Sequence, residues 1–541
     1  MFVRDFRQKA SVTVWILLAA GLTAATLPAS AQAPAAVALD PAKMARIGTV
    51  SERYQSYNIE MLEVTGGRFW APYKLGSDKP ADAKPVDPKD AAPGGMDPSL
   101  YRYRAPIDLS NPRLRKLAAA LGPTYLRVSG MWANSTYFQD SDEPAAATPP
   151  QGFGGVLTRK EWKGVVDFSH AANAEIVTSF AISPGVRNPE GVWTPVEAEK
   201  FLAYTKSVGG TIAAAEMFNE PTFAVIGGAP KGYDAAAYGK DFHAFDAFVK
   251  KAAPGMKVLG PGSIGEGGAL GAMPGIHLIR SEDMMTAAGG DVDAFSYHFY
   301  GGVSKRCARP GVPGGTTPEA ALSQAWLFRT DGEEAFYAGL RDRFAPAKPI
   351  WLTETGETAC GGDPWAADFI DTFRYLNQLG TLAKHGVQVI MHNTLAASDY
   401  ALIDESTLEP RPNYWGAVLW RRLMGTTVLD AGSAVAPDLY LYAHCLRGHA
   451  GGVALLAINA DRTEAKEITL PVAAERYSLT APETSDLLEN KVELNGRLLT
   501  VDAEGALPSL DGVATKAGKV ELAPASITFF GIAGAKNAAC R

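Results

Sequence analysis

The chain divides by the period of its apolar positions. Through the first three-quarters, short apolar runs alternate with longer amphipathic or alanine-rich stretches. The short runs are YNIEMLEV (57–64), TYLRVSG (124–130), EIVTSFAI (175–182), TIAAAEMF (211–218), KVLGPG (257–262), VDAFSYHFY (292–300), PIWLTET (349–355) and VQVIMHN (387–393). The stretches between them carry helical spacing, as in RKEWKGVVDFSHAA (159–172) and AAAYGKDFHAFDAFVKKA (235–252). Asn111 followed by Pro112 has the form of a helix start, a capping side chain with proline in the first turn. Strand and helix in strict alternation predict a parallel sheet, because a parallel neighbour is reached only by a crossover. Eight such units between residues 56 and 420 predict a closed (β/α)8 barrel.

From about residue 425 the texture changes. LYLYAHCL, GVALLAINA, KEITLPV, RYSLTA, VELNGRLLTV and SITFFGIAG are short alternating runs split by Gly, Asn and Asp. They predict an all-β sandwich over 421–541. Residues 74–99, KLGSDKPADAKPVDPKDAAPGGMDPS, are too rich in Pro, Asp and Lys to make a core and read as a long surface loop after the first strand.

Composition narrows the class. The chain has 541 residues, 47% hydrophobic and 20% charged, which describes a globular protein of two or three domains. Arg4, Arg7 and Lys9 precede the apolar run VTVWILLAAGLTAATL, and AQA stands at 31–33, so residues 1–33 read as a signal peptide cut after Ala33. The alternative, a membrane anchor, needs a longer run. The mature chain is therefore expected to be secreted or periplasmic, with no membrane span. Loss of three basic residues and one acidic residue moves the formal charge from −7 to −9. An acidic body argues against nucleic acid as a partner and requires any polyanion to be held by a local basic rim. Four cysteines, Cys307, Cys360, Cys445 and Cys540, allow three pairings, and two disulfides suit an exported chain. No CxxC, HExxH or clustered His/Cys spacing occurs, so no metal site is expected.

The chemistry lies at two strand ends. Catalytic groups of such barrels sit at the C-terminal ends of the strands. The fourth run delivers Asn219–Glu220–Pro221, and the seventh ends in Glu354. Strands four and seven face each other across the mouth, so two carboxylates far apart in sequence can address one ligand. Two carboxyls in different environments are what glycosidic cleavage needs, one protonated for the leaving oxygen and one ionised to attack the sugar carbon. Taken alone, NEP also occurs in ordinary turns and TET at ordinary strand ends; their placement together carries the argument. Glu357 is an alternative nucleophile, but Glu354 directly follows the apolar strand. Asn219 can bond a sugar 2-hydroxyl or simply cap the strand.

NEP, WLTET and HFY on the sixth strand resemble the clan A glycoside hydrolases, and more closely glycoside hydrolase family 79, which holds heparanases and β-glucuronidases. LRKLAAALGPTYLRVSG, EMFNEPTF, WLTETGETACGG, GVQVIMHNTLAASDYALID, LEPRPNYWGAVLWRRLMGTTVL and the ending KNAAC carry the likeness over most of the mature chain. The resemblance implies a barrel with a β-sandwich built from both termini, bringing in residues 34–55. It implies retention of anomeric configuration, no cofactor, and β-linked glucuronic acid in an oligo- or polysaccharide as substrate. It assigns Glu220 as acid/base, Glu354 as nucleophile, and Glu60, Asn219, Tyr300, Asn393 and Tyr400 as sugar contacts, with Gly361 and Gly362 offering backbone N–H groups to the uronic carboxylate. It also implies a Cys445–Cys540 bridge. Cys307 and Cys360, on neighbouring barrel loops, are expected to form the second. The protein is expected to act as a monomer. Cys360 stands where the family has a tyrosine, and no long excisable segment follows the second strand, so no proteolytic activation is expected. A neutral-sugar glycosidase and a catalytically silent carbohydrate-binding barrel are the competing readings.

Overall fold

The computed structural model describes residues 37–73, 98–224, 226–268, 278–308, 314–432, 436–483 and 486–541. The expected signal peptide, and the expected 74–99 loop up to residue 97, lie outside these. Eight parallel strands close into a barrel: β1 (Gln55–Glu60), β2 (Thr124–Ser129), β3 (Ala174–Ser179), β4 (Ile212–Glu216), β5 (Lys257–Ile264), β6 (Ala294–Tyr300), β7 (Ile350–Gly356) and β8 (Val389–His392), with β8 pairing back to β1. Side chains two residues apart on a strand share a face. Tyr125, Val177, Ala214, Leu259, Ala294, Trp351, Val389 and Met391 make an apolar floor within the barrel. Further along the same faces stand Arg127, Glu216, His298 and Thr353. The sequence thus stacks a polar layer on an apolar one, and the polar layer opens at the strand ends.

The Asn111 cap forms as the sequence predicts, its side chain accepting from the N–H of Arg113 and of Leu114. Two expected elements differ. YNIEMLEV is not one strand: β1 stops at Glu60 and Met61–Thr65 turns into a helix, with the Glu60 N–H donating to the Glu63 carboxylate at 2.9 Å. Apolar periodicity alone cannot register that local capping. IHLIRSEDMMTAA (276–288), whose spacing also predicts a helix, is helical over Ser281–Ala288 and not over 278–280, residues 276–277 lying outside the described ones.

Among the described residues the β-region holds a nine-stranded sheet and a three-stranded one. Arg46–Thr49 pairs antiparallel with Met424–Leu429, and Val37–Ala38 pairs parallel with Lys466–Leu470, so segments before the barrel complete both sheets. Alternate residues of Val453–Asn459 face two cores. Val453, Leu455 and Ala457 pack between the sheets, whereas Ala454, Leu456 and Ile458 join the barrel core. The barrel helix Phe369–Lys384 meets this outer face at Tyr442, which donates to Asn377 Oδ1 at 2.6 Å. A Cβ at Gly380 would lie 2.3 Å from the Tyr442 ring, so only glycine admits the approach. Helix Pro412–Leu423 runs past residue 420 and leads straight into Met424–Leu429.

Both cysteine pairs are bridged. Cys445–Cys540 ties the C-terminus to a sandwich strand (Cα–Cα 5.3 Å), and Cys307–Cys360 joins the loops after β6 and β7 (Cα–Cα 6.4 Å).

Candidate active site

Glu220 leaves β4 in the left-handed region (φ 48°), directly before the proline that opens the helical turn Pro221–Phe223. A non-glycine residue held there stores backbone strain, which neighbours must fix. Asn134 supplies part of that fixation: its Oδ1 accepts from the Asn219 N–H at 2.8 Å and its Nδ2 donates to the Asn219 carbonyl at 2.9 Å. Glu354 lies within β7, opposite. One oxygen of each carboxylate and a nitrogen of His298 lie within 4.8 Å of one another.

Arg127, 1% exposed, organises the floor of the site. It donates to Glu354 Oε2 at 2.8 Å, to Glu216 Oε2 at 2.9 Å and to Asn219 Oδ1 at 2.7 Å. The last contact sets the Asn219 amide so that its N–H2 remains free to donate. Glu216 also accepts from Thr353 Oγ1 at 2.7 Å. Burial works to raise its pKa, but Arg127 and His298 outweigh burial and hold the carboxyl far below the usual range.

Glu354 Oε1 accepts from the Tyr300 hydroxyl at 2.9 Å. Asn393 Nδ2 lies within hydrogen-bond reach of Tyr300 Oη, Glu60 Oε1 and Tyr400 Oη, at 2.8, 3.1 and 3.2 Å. Glu60, Asn219, Glu220, Tyr300, Glu354, Asn393 and Tyr400 therefore belong to one buried cluster fed by five strands. Gly361 and Gly362 adjoin it, a Cβ at Gly362 lying 3.3 Å from the Tyr400 ring. Both are buried with φ near +85° (84° and 86°), and among the described residues neither N–H has a protein acceptor. Glu357 does not join the cluster: its carboxylate accepts from Thr358 Oγ1 at 2.7 Å and the Asp363 N–H at 2.9 Å.

The two central carboxylates sit in different surroundings. Glu354 touches the Arg127 guanidinium directly. Glu220 has no such contact; burial raises its pKa, His298 opposes the rise, Glu354 adds to it, and the net direction is up. Glu60 is pushed well up by burial, then by Glu354. Its Oε2 and Asn393 Oδ1 are buried without a partner among the described residues. A site whose fixed polar atoms remain unpaired is one that a polyol can complete. Glu220, His298 and Glu354 also offer ligand-type atoms for a cation. However, the Arg127 guanidinium already fills Glu354 Oε2 and lies 3.3 Å from His298 Nε2, so a fixed positive charge occupies that role.

Sequence reading passed over Arg127, Asn134, Glu216 and His298. For Arg127, Glu216 and His298 the signal was present, since an ionisable side chain inside an otherwise apolar barrel strand has to face partners inside the barrel; Asn134, uncharged and in the turn Met131–Ser135, carries none. His298 Nδ1 is 3.1 Å from Glu220 Oε1. Burial alone would lower its pKa, but the nearby Glu354 and Glu216 carboxylates and the contact with Glu220 carry it up to about 9. Because that exceeds the unfolded value of about 6.5, His298 stabilises the fold fully below about pH 6.5, and the contribution fades as pH rises through about 9. Thermal denaturation between pH 6 and 9.5 should show this decline in the wild type and a flatter curve in His298→Gln; parallel curves would refute the assignment.

No family model matches the chain. It is 28% identical to the heparanase of Mus musculus over 491 residues, 80% of this chain and 88% of that protein. It is 26% identical to the hyaluronoglucuronidase of Hirudo nipponia over 484 residues, 80% and 92% of the two chains. Among solved structures, its fold is similar to that of a 4-O-α-L-rhamnosyl-β-D-glucuronidase from Fusarium oxysporum, with a TM-score of 0.59 at 11% identity, covering 91% of this chain and all of the other.

Proposed function

We propose that this glycosidase cleaves β-linked glucuronides with retention, Glu354 attacking the anomeric carbon and Glu220 serving first as acid and then as base. The observation that carries the reading is the carboxylate pair, oxygens within 4.8 Å across the barrel mouth, each in its own electrostatic setting. Retaining enzymes hold their carboxyls about 5–5.5 Å apart, whereas inverting ones leave about 6.5–9.5 Å for a water. The proton that Glu220 keeps is the one the leaving oxygen needs. His298 Nδ1–H donates to Glu220 Oε1, which leaves Oε2 to carry that proton. Asn219, with its oxygen held by Arg127, presents N–H groups to the sugar 2-hydroxyl, and the unpaired Gly361 and Gly362 amides suit a uronic carboxylate. The names of the relatives support a glucuronide as substrate. They differ in what is attached to it, so the leaving group is left open. Two disulfides support action in an oxidising compartment.

Proton NMR of the first sugar released from an aryl β-glucuronide should show the β-anomer before mutarotation. A 2-deoxy-2-fluoro glucuronyl donor should leave its label on Glu354. An α-anomer as first product would overturn retention.

A further inference from the structure

The loop carrying Gly361 and Gly362 is held from behind by residues that touch no part of the reacting centre. The Asp399 N–H donates to the Gly361 carbonyl at 3.1 Å. In a trans peptide the C=O and the following N–H point in opposite directions, so this bond aims the Gly362 N–H away from Asp399. The next peptide is held at both ends: Ser304 Oγ donates to the Gly362 carbonyl at 2.7 Å and the Asp363 N–H donates to Glu357. Ser304 is itself the end of a relay. The Arg306 N–H donates to Tyr73 Oη at 3.1 Å, and with the Ser304 proton committed to Gly362, Tyr73 donates to Ser304 Oγ at 2.9 Å.

One ion pair closes this frame. Arg306 Nη2 meets Asp399 Oδ2 at 2.8 Å, with the two side chains 1% and 9% exposed. The guanidinium lies 3.9 Å from the centre of the Tyr73 ring and donates to the Ala71 carbonyl, and the Tyr73 N–H donates back to Asp399 at 3.3 Å. Loops after β1, β6, β7 and β8 thereby meet at Arg306, one residue before Cys307, whose bridge to Cys360 fixes the residue ahead of Gly361.

We propose that Ser304, Arg306 and Asp399 are positioning residues that set uronate specificity by holding the peptides on either side of Gly362, and with them the loop that presents the Gly361 and Gly362 amides. The inference rests on the reading that those amides receive the substrate carboxylate. Buried N–H groups bind an anion only when their direction is fixed in advance, because a free loop would first have to lose its conformational freedom. A neutral 6-hydroxymethyl group makes less use of them.

The test compares an aryl β-glucuronide with its matched β-glucoside, at enzyme concentrations that make the slower substrate measurable. Ser304→Ala and Arg306→Met should raise KM for the glucuronide about five- to tenfold, the scale of one or two lost hydrogen bonds, with kcat changed less than KM. The glucuronide-to-glucoside ratio of kcat/KM should fall accordingly, and Arg306→Lys, which keeps the charge, should recover part of it. Gly361→Val serves as the reference: a Cβ there would lie 2.7 Å from Trp70 Cβ. If Gly361→Val harms both substrates equally, the carboxylate reading fails and this inference with it. If Gly361→Val is selective but the Ser304 and Arg306 variants harm both substrates equally, or leave KM unchanged, only the positioning role is overturned. Urea unfolding accompanies each variant. Should Arg306→Met not fold, Ser304→Ala, which removes a single oxygen, decides the matter.

Discussion

Replacing Glu354 by glutamine lowers turnover by about four orders of magnitude or more, the scale on which removal of a covalent nucleophile is felt, and leaves the fold in place. The volume is conserved, Tyr300 keeps an oxygen to donate to, and Arg127 keeps Glu216 as its counter-charge. Only the attacking charge is gone. Glu220→Ala behaves differently. Loss of a general acid costs about 10²- to 10⁴-fold for substrates whose leaving oxygen needs a proton, and little in the first step for very acidic phenols. Azide should then restore turnover, yielding the β-glucuronyl azide. In the wild type, activity should fall as pH rises through the elevated pKa of Glu220, and that limb should vanish from the first step of Glu220→Ala with an acidic phenol. Circular dichroism and steady-state rates settle both variants. A Glu354→Gln protein that folds and turns over at a rate comparable to the wild type would remove Glu354 from the nucleophile's place.

The barrel was legible because its signal is local and repeated. Each strand–helix unit carries its own period, and counting the units sets Glu220 and Glu354 at the ends of strands four and seven, where together they stand out. What escaped depends on closure. Arg127 looks like an ordinary residue in TYLRVSG until β2 is placed between β1 and β3, where its side chain turns toward Glu216 and Glu354. Glu216 likewise reads as a blemish in an alanine strand. A shift in pairing between Tyr297 and His298 alters the register of β6 just where His298 meets Glu220, and periodicity cannot foresee a bulge. Most strands of the β-region were recognised, but Met424–Leu429, Val513–Thr515 and Gly518–Leu522 were not, nor was it seen that a run such as VALLAIN is apolar throughout because it separates two cores.

The substrate-side loops mark the other limit. Arg306 and Asp399 are 93 residues apart and no motif connects them. Four cysteines alone left three pairings open; the Cys445–Cys540 bridge implied by the family likeness and the Cys307–Cys360 bridge expected of neighbouring barrel loops are both present. Gly361 and Gly362 could be picked out as a turn from sequence, but the peptides on either side of Gly362 are held by Ser304 and Asp399, which reach them from other loops.

Arg127→Met should be strongly damaging, because it removes the permanently charged cation from a pocket of buried carboxylates and leaves them only the titratable His298. Methionine roughly matches the stem in volume, so little cavity forms. Glu216 and Glu354 lose their shared partner, at 2.9 and 2.8 Å, and Asn219 loses the contact that orients its amide. Breaking a buried pair by deleting one partner costs about 3–5 kcal/mol, because the carboxylates left behind have no water and only His298, 3.8 Å from each, as a counter-charge. The dependence on pH has a definite sign. In the wild type, Glu216 is held far below its unfolded pKa, so its stabilising contribution is present above the unfolded value and is lost as pH falls. In the variant, the crowded carboxyls favour taking up a proton, so the folded state binds more protons than the unfolded one and gains stability as pH falls. The deficit between the two proteins is therefore largest near neutrality and narrows on acidification. Adding Glu216→Gln should restore much of the stability, since it removes the uncompensated charge, while activity stays low because Asn219 remains unheld. Urea denaturation of wild type, single and double variants at pH 7 and pH 5 reads all of this. An Arg127→Met protein with wild-type stability at pH 7, or with wild-type activity, would show that the guanidinium does not hold the site together.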